Sequence, residues 1–370
     1  MKSKSMLCLA GLLFFASALP AGQIERRYKV LSPISHGNLT IFPVVAAAIH
    51  DTSEFLTLDE GIRSGEVVVT ESGNVSPLIR RRGTSTASPR TGPQVNQLVL
   101  INNSKRPLFL LAGEIVTGGK QDRIIGKDRI VPAESDPVAL GVFCVEPGRW
   151  VAHSDKFGTI PALAQPSLRS KAMADKNQQK VWDLVAQSRA TMIAAGPPPS
   201  PGGAPSSLRS TTSYAQAVES PEVRKQLDDV VVPVQQSYTQ LMHQLHDRNA
   251  VGVVVAVNGE IIWADIFASP SLLEKYWPKL VRSYAAEAMV ESANNKHVTE
   301  SAAETFLANL QGNHEVVDTE AGVFRQAEIS GGGYKVFQLT SLLPNTGFDV
   351  HLAKMTIADT PSMIGGARPQ

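Results

Sequence analysis

Alternation of apolar and polar positions dominates the first half of the chain. YKVL and LTIFPVV, on either side of the turn signal SHGN, are short strand patterns, and EFLTLDEGIRSG after them has the spacing of a short helix. Strand patterns resume in EVVV, NQLVLI, PLFLLAG and VALGVFCVE. Between the first two of these, RRRGTSTASPRTGPQ is rich in Ser, Thr, Pro and Gly and is expected to be an exposed loop. Helical spacing takes over in SLRSKAMADKNQQKVWDLVAQSRATM, where Met173, Val181, Trp182 and Val185 recur near a period of 3.6 residues. The stretch AAGPPPSPGGAPSSLRS, with five prolines and three glycines, cannot carry a packed element and is expected to be a linker or long loop.

Beyond it, Ser220-Pro221-Glu222 opens a second helix with serine as cap and proline at the first helical position, and Pro233 is expected to kink it. VGVVVAV-NG-EIIWADIF is the sharpest local signal. Two strand patterns flank Asn258-Gly259, the pair preferred in a tight type I′ hairpin. SPSLLEKYWPKLVRSYAAEAM then offers two helix starts, Ser269 before Pro270 or Ser271 with Glu274, and an apolar face of Leu272, Leu273, Tyr276, Leu280 and Tyr284. SAAETFLANLQG predicts another helix capped by Ser301 and Glu304, and VFRQAEI and YKVFQLTS return to strand around a glycine triplet.

Strands first, helices in the middle and hairpins adjoining helices predict an α+β fold. Mixed or antiparallel sheets would pack with several helices in a single large domain carrying a proline-rich insertion. The expected divisions are 1–21 as a signal peptide, 22–193 as a strand-rich first part, 194–213 as the Pro/Gly/Ser-rich segment, 214–355 as an α+β second part and 356–370 as a loose tail.

Composition narrows the function classes. The 370 residues are 43% hydrophobic and 19% charged, with formal charge +1, which suits a globular core and disfavours nucleic acid as a partner. The head, MKSKSMLCLAGLLFFASALPAGQ, has two lysines, an apolar centre and the small-residue exit Ala16-Ser17-Ala18, the anatomy of a secretory signal. Its apolar run is shorter than the roughly 20 residues that span a bilayer. Export to the periplasm or medium is therefore expected, with cleavage after Ala18 or Ala21 and no stable membrane insertion afterwards. Cleavage removes Cys8 and leaves Cys144 as the one thiol, so no internal disulfide is expected.

Candidate chemistry concentrates in GEIVTGGKQDRIIGKDRIVP, where an apolar strand empties into carboxylates and cations. Gly118-Gly119 permits backbone amides to converge, and Lys120, Gln121 and Arg123 follow at once, a plausible cradle for phosphate, sulfate or carboxylate. A nucleotide-hydrolase phosphate loop is excluded, because Gly119 stands where that motif needs lysine and Lys120 where it needs a hydroxyl. A second polar emergence follows VALGVFCVE, with Glu146, Arg149 and Trp150 able to complete an anion or planar-ligand pocket. Cys144 fits a small core residue better than a nucleophile. His243 and His246 lack a third ligand at useful spacing, so neither metal nor cofactor is expected.

GEIVTGGKQDRIIGKDRIVPAES, then CVEPGRW, then VGVVVAVNGEIIWADIFASPSLLEKYWPKLVRSYAAEAM resemble the ARG and Rhodanese-Phosphatase-superfamily-associated Protein domain, a prokaryotic family of undetermined function. Glu114, Gly118, Lys120, Gln121, Arg123, Pro132, Cys144, Glu146, Gly148, Arg149 and Trp150 occupy that pattern's places, over an expected span of residues 30–355. Asp122 stands where relatives often carry asparagine. The family's name records association with ADP-ribosylglycohydrolase and rhodanese-phosphatase domains, which implies nucleotide or phosphate contexts. Three functions follow as expectations. One is an exported domain holding a small anion through Lys120, Gln121, Arg123, Arg149 and Trp150. The second is a hydrolase with Glu114 or Glu146 as general base. The third is a structural periplasmic protein whose charged turns brace the fold.

Overall fold

A computed structural model describes residues 27–74, 95–196, 207–245, 250–294 and 296–357. The expected signal segment, the whole of the 80–94 loop, the centre of the proline-rich stretch, His246 and most of the tail lie outside the described residues. The chain is α+β. Its largest sheet has nine strands, all antiparallel: Tyr28–Val30, Leu39–Ala46, Ala250–Val257, Glu260–Phe267, Asp349–Thr356, Tyr334–Ser341, Phe324–Gly331 and His314–Glu320 in spatial order, with Ile34–His36 also on Leu39–Ala46. A six-stranded sheet runs Phe157–Leu163, Glu114–Gly118, Arg123–Ile125, Val138–Cys144, Gln97–Asn102 and Val67–Thr70. A three-stranded one joins Arg129–Val131, Leu108–Leu110 and Leu56–Thr57, its last pair parallel.

Eight α-helices are described: α1 (Leu58–Ser64), α2 (Pro166–Ser170), α3 (Gln178–Ala195), α4 (Ser207–Ser210), α5 (Tyr214–Val218), α6 (Pro221–Leu245), α7 (Pro270–Val290) and α8 (Glu300–Ala308). The two parts of the sequence share one fold. Leu39–Ala46 pairs with Ala250–Val257, Phe42 opposite Val254, and the main core draws Ile41, Phe109 and Leu163 together with Val253, Tyr276 and Leu280. A division near residue 200 therefore separates stretches of sequence, not separate cores.

Local chemistry explains most elements. Asn258 and Gly259 both take positive φ, +55° and +75°, as a type I′ hairpin requires. Thr57 and Glu60 form a full capping box on α1. For α7 the Ser269 alternative holds: its hydroxyl accepts from Leu272 N with Pro270 next in line.

Three expectations need correction. The helix predicted across 167–192 is interrupted. A π-turn at Lys171–Asp175 ends in Lys176 at φ +50°, and Asn177 caps a fresh start for α3. α8 begins two residues earlier than Ser301 suggested, because Thr299 accepts from Ala302 N and leaves Ser301 inside the helix. The 194–213 segment is not loop throughout, since α3 runs to Ala195 and α4 occupies Ser207–Ser210. The stretch expected to be a charged loop carries three short strands, Glu114–Gly118, Arg123–Ile125 and Arg129–Val131, and Phe157–Leu163, His314–Glu320 and Asp349–Thr356 are further strands that were not anticipated. His314–Glu320 is exposed along nearly its whole length and lacks an apolar face to reveal it.

Candidate functional site

Antiparallel pairing brings the two polar bends together. Cys144 lies opposite Arg123 in the six-stranded sheet, so the chain leaving Val138–Cys144 runs directly past the Gly118–Asp122 turn. Glu146 then accepts from the Asp122 amide at 3.0 Å, and the Glu146 carbonyl accepts from the Gln121 side-chain amide at 3.2 Å. Arg149 grips Glu146 through two nitrogens, Nε at 2.6 Å and Nη2 at 2.5 Å. Its Nη1 donates to the carbonyls of Gly119 at 2.9 Å and Val151 at 2.8 Å. Such a fork is the strongest arrangement available to this pair. Although burial opposes it, the Glu146 carboxylate holds the guanidinium of Arg149 above its ordinary pKa.

The convergence of amides expected at Gly118-Gly119 is present, but the protein supplies its own acceptors. Gly118 N donates to Asp122 Oδ1 at 3.1 Å, Gly119 N to Ser154 Oγ at 3.2 Å and Lys120 N to Glu71 Oε1 at 3.0 Å. Gly119 has to be glycine. Its φ is +47°, and a Cβ would stand 2.3 Å from the Phe157 ring and 2.8 Å from Glu71 Oε1. Asp122 is further fixed by the Ser213 hydroxyl at 2.6 Å, and burial raises its pKa despite that bond. Neither Glu71 nor Ser213 has a local sequence signal, for each reaches the turn from a distant segment.

What remains uncommitted is a cationic pair around one indole. Lys120 Nζ sits 5.1 Å and Arg123 Cζ 5.9 Å from the Trp150 ring centroid, and Trp150 is 42% exposed. Arg123 is 0% exposed. Its Nη1 reaches only the Asp122 carbonyl, at 3.4 Å, and its Nε and Nη2 have no acceptor among the described residues. Gln121 Oε1 is likewise buried without a donor. Burial lowers the Arg123 pKa, with fields from Cys144, Glu71 and Asp122 opposing it.

Glu114 is not part of this group. It stands at the other end of its strand, four residues and roughly 13 Å from Gly118. There it accepts from Leu111 N at 3.0 Å and faces Lys279 Nζ at 3.6 Å, while Lys279 is 2.6 Å from Asp59. Complete burial pushes Glu114 up to about 7 against the pull of Lys279. Cys144 is buried and free, and burial pushes its thiol up, away from nucleophilic use. No group of three or more His, Cys, Asp or Glu side chains that could hold a metal occurs among the described residues.

A second charged cluster escaped sequence reasoning altogether. Asp265 accepts from both terminal nitrogens of Arg169 at 2.7 and 2.8 Å and from the Tyr284 hydroxyl at 2.6 Å. His351 bridges it at 3.2 Å to Asp128 at 2.6 Å, and the Trp263 ring covers Arg169 at 4.4 Å. Asp128, Arg169, Asp265 and His351 are all 0% exposed, so the cluster braces the interior and reaches no ligand from solvent. The available signal was an acid at the centre of EIIWADIF, a place where an unpaired carboxylate is too costly to stand alone.

No curated protein and no solved structure matches the chain. Its sequence does match a family model over residues 27–354, a span of this chain that includes both bends and the buried cluster. The chain belongs to the ARG and Rhodanese-Phosphatase-superfamily-associated Protein domain family.

Proposed function

We propose that this is an exported binding domain that takes a small anionic ligand on Arg123 and Lys120, beneath Trp150. One observation carries the reading: a fully buried guanidinium with two nitrogens that lack acceptors among the described residues. A buried cation without hydrogen-bonded compensation is expensive, and a phosphate, sulfate or carboxylate oxygen supplies charge-assisted bonds to those nitrogens. Entry requires Trp150 to move off Arg123. The indole is held there by its two cation contacts and is already partly in solvent. Arg149, by contrast, is committed to Glu146 and to backbone carbonyls and serves as a brace that fixes the two bends. In this reading neither glutamate is a general base: Glu146 is engaged by Arg149, and Glu114 is enclosed with Lys279.

A thermal-shift titration against inorganic phosphate, sulfate, nucleoside phosphates and sugar phosphates at constant ionic strength tests the site. A true ligand at 100 times its Kd stabilises the fold by about 2.7 kcal/mol. Lys120→Ala is expected to leave the unliganded melting temperature unchanged and to reduce that shift. Arg123→Met is expected to abolish it while keeping or raising intrinsic stability, since it removes an uncompensated buried charge. Strong destabilisation by Arg123→Met, with no anion shifting the wild type, would assign Arg123 to the fold and end the proposal.

Export is supported by the charged and apolar head of the chain and by the single thiol that would remain. Expression of the full chain in a Gram-negative host is expected to release a periplasmic product beginning at Leu19 or Gly22. A cytoplasmic product that still begins at Met1 refutes it.

A further inference from the structure

A groove of about 400 Å³ lies between α6 and α7, away from both polar bends. Tyr238 and Trp277 form its aromatic wall, their rings stacked with centroids 4.4 Å apart and planes inclined by 28°. Met242, one turn beyond Tyr238 on α6, adds a polarisable thioether, and Pro270 and Pro278 of α7 complete the apolar lining. Glu274 and Trp277 are three residues apart on α7 and so share a face.

Among the described residues that line this groove, Glu274 is the only acid and His243 the only basic group. Glu274 is exposed, and no ion pair or hydrogen bond engages it among the described residues. Its field also reaches Tyr238, whose phenol is raised first by burial and then by that carboxylate. Aromatic rings attract cations at their faces, and the Glu274 carboxylate beside this pair adds to the same potential. Anions are therefore repelled and neutral apolar molecules gain only contact area, whereas a cation with an apolar body satisfies both features. The volume lies in the range of small-molecule sites, at 300–1,000 Å³ in general.

We propose that the α6–α7 groove binds a small organic cation, an alkylated or aromatic amine, with the cationic centre between the Tyr238–Trp277 wall and Glu274. This site shares no residue with the Arg123 site and takes ligands of the opposite charge, so either can fail without the other.

The test is isothermal titration of the purified protein with benzyltrimethylammonium, with benzyl alcohol and benzoate as neutral and anionic comparators. Saturable binding with a Kd at or below about 1 mM is expected, and each comparator is expected to bind at least about tenfold more weakly. Glu274→Gln changes an exposed side chain and should leave folding intact while weakening the cation about tenfold. Tyr238→Leu keeps the groove apolar but removes the π face and should weaken it similarly. Absence of saturation by about 10 mM overturns the proposal. So does benzyl alcohol binding as tightly as the cation, or an affinity that Glu274→Gln leaves unchanged.

Discussion

Asp265→Ala is expected to destabilise the fold by about 3–5 kcal/mol. The carboxylate is completely buried in the strand Glu260–Phe267 and has four donors: two from Arg169, one from Tyr284 and one from His351. Burial alone would raise its pKa. Arg169, followed by His351, reverses that and holds Asp265 well below the usual carboxylate range. Removing it leaves the Arg169 guanidinium and the His351 imidazolium in a closed interior with Asp128 as the only remaining acid bonded to the cluster. The Tyr284 hydroxyl also loses its acceptor. Urea unfolding of the wild type, Asp265→Ala and Asp265→Asn at one pH measures this. Asp265→Asn keeps the shape and one acceptor, so its loss should be smaller than that of alanine. An alanine variant within about 1 kcal/mol of wild type would show that the cluster contributes little to holding the fold.

The second large effect is a pH-dependent contribution from His351. Burial by itself would keep the imidazole neutral, but Asp128 and then Asp265 outweigh it and raise the pKa from 6.5 to about 9. A folded-state pKa above the unfolded value means that the folded chain holds the proton more tightly. The stabilisation is fully present below about 6.5 and is lost as pH rises to about 9, and the 2.5-unit difference corresponds to on the order of 3 kcal/mol. Two other groups titrate nearby. Glu114, raised to about 7, favours the fold most at acid pH, and its effect is over by about 7. Lys354, lowered by burial to about 8, works oppositely, stabilising the fold as pH rises from there toward 10.5. The informative quantity is therefore the stability gap between wild type and His351→Gln. It should shrink by on the order of 3 kcal/mol between pH 6 and pH 9.5. A gap that stays constant across this range would mean that His351 does not carry the charge assigned to it.

These two predictions rest on residues that sequence reading passed over, and the reason is the range of the interactions. Turns and caps are decided within a few residues. Asn258-Gly259 and the alternation of VALGVFC could therefore be read directly, and Ser269 before Pro270 was one of two starts offered for α7. Errors occurred where two local solutions compete or no local solution exists. Thr299 and Ser301 are both competent caps by residue type, and the structure uses Thr299. The exposed strand His314–Glu320 is held by pairing to Phe324–Gly331 and shows no period of its own.

The same distinction governs the site. That Lys120, Gln121, Arg123, Glu146, Arg149 and Trp150 are chemically notable is visible in the sequence, and so is the family they mark. Which of those charges neutralise one another is not. Arg149 is closed on Glu146 three residues away, Asp122 is tied to Ser213 across 91 positions, and Asp128 meets His351 across 223. The sequence by itself determined most of the longer strands, the Asn258-Gly259 turn and the kinds of functional group, because steric preference and amphipathic period act over a few bonds. Only the tertiary structure decided that Glu114 is sealed beside Lys279 and that Arg123 has no counter-charge at bonding distance among the described residues. A buried charge acquires its properties from whatever the fold places around it, and those neighbours come from anywhere in the chain.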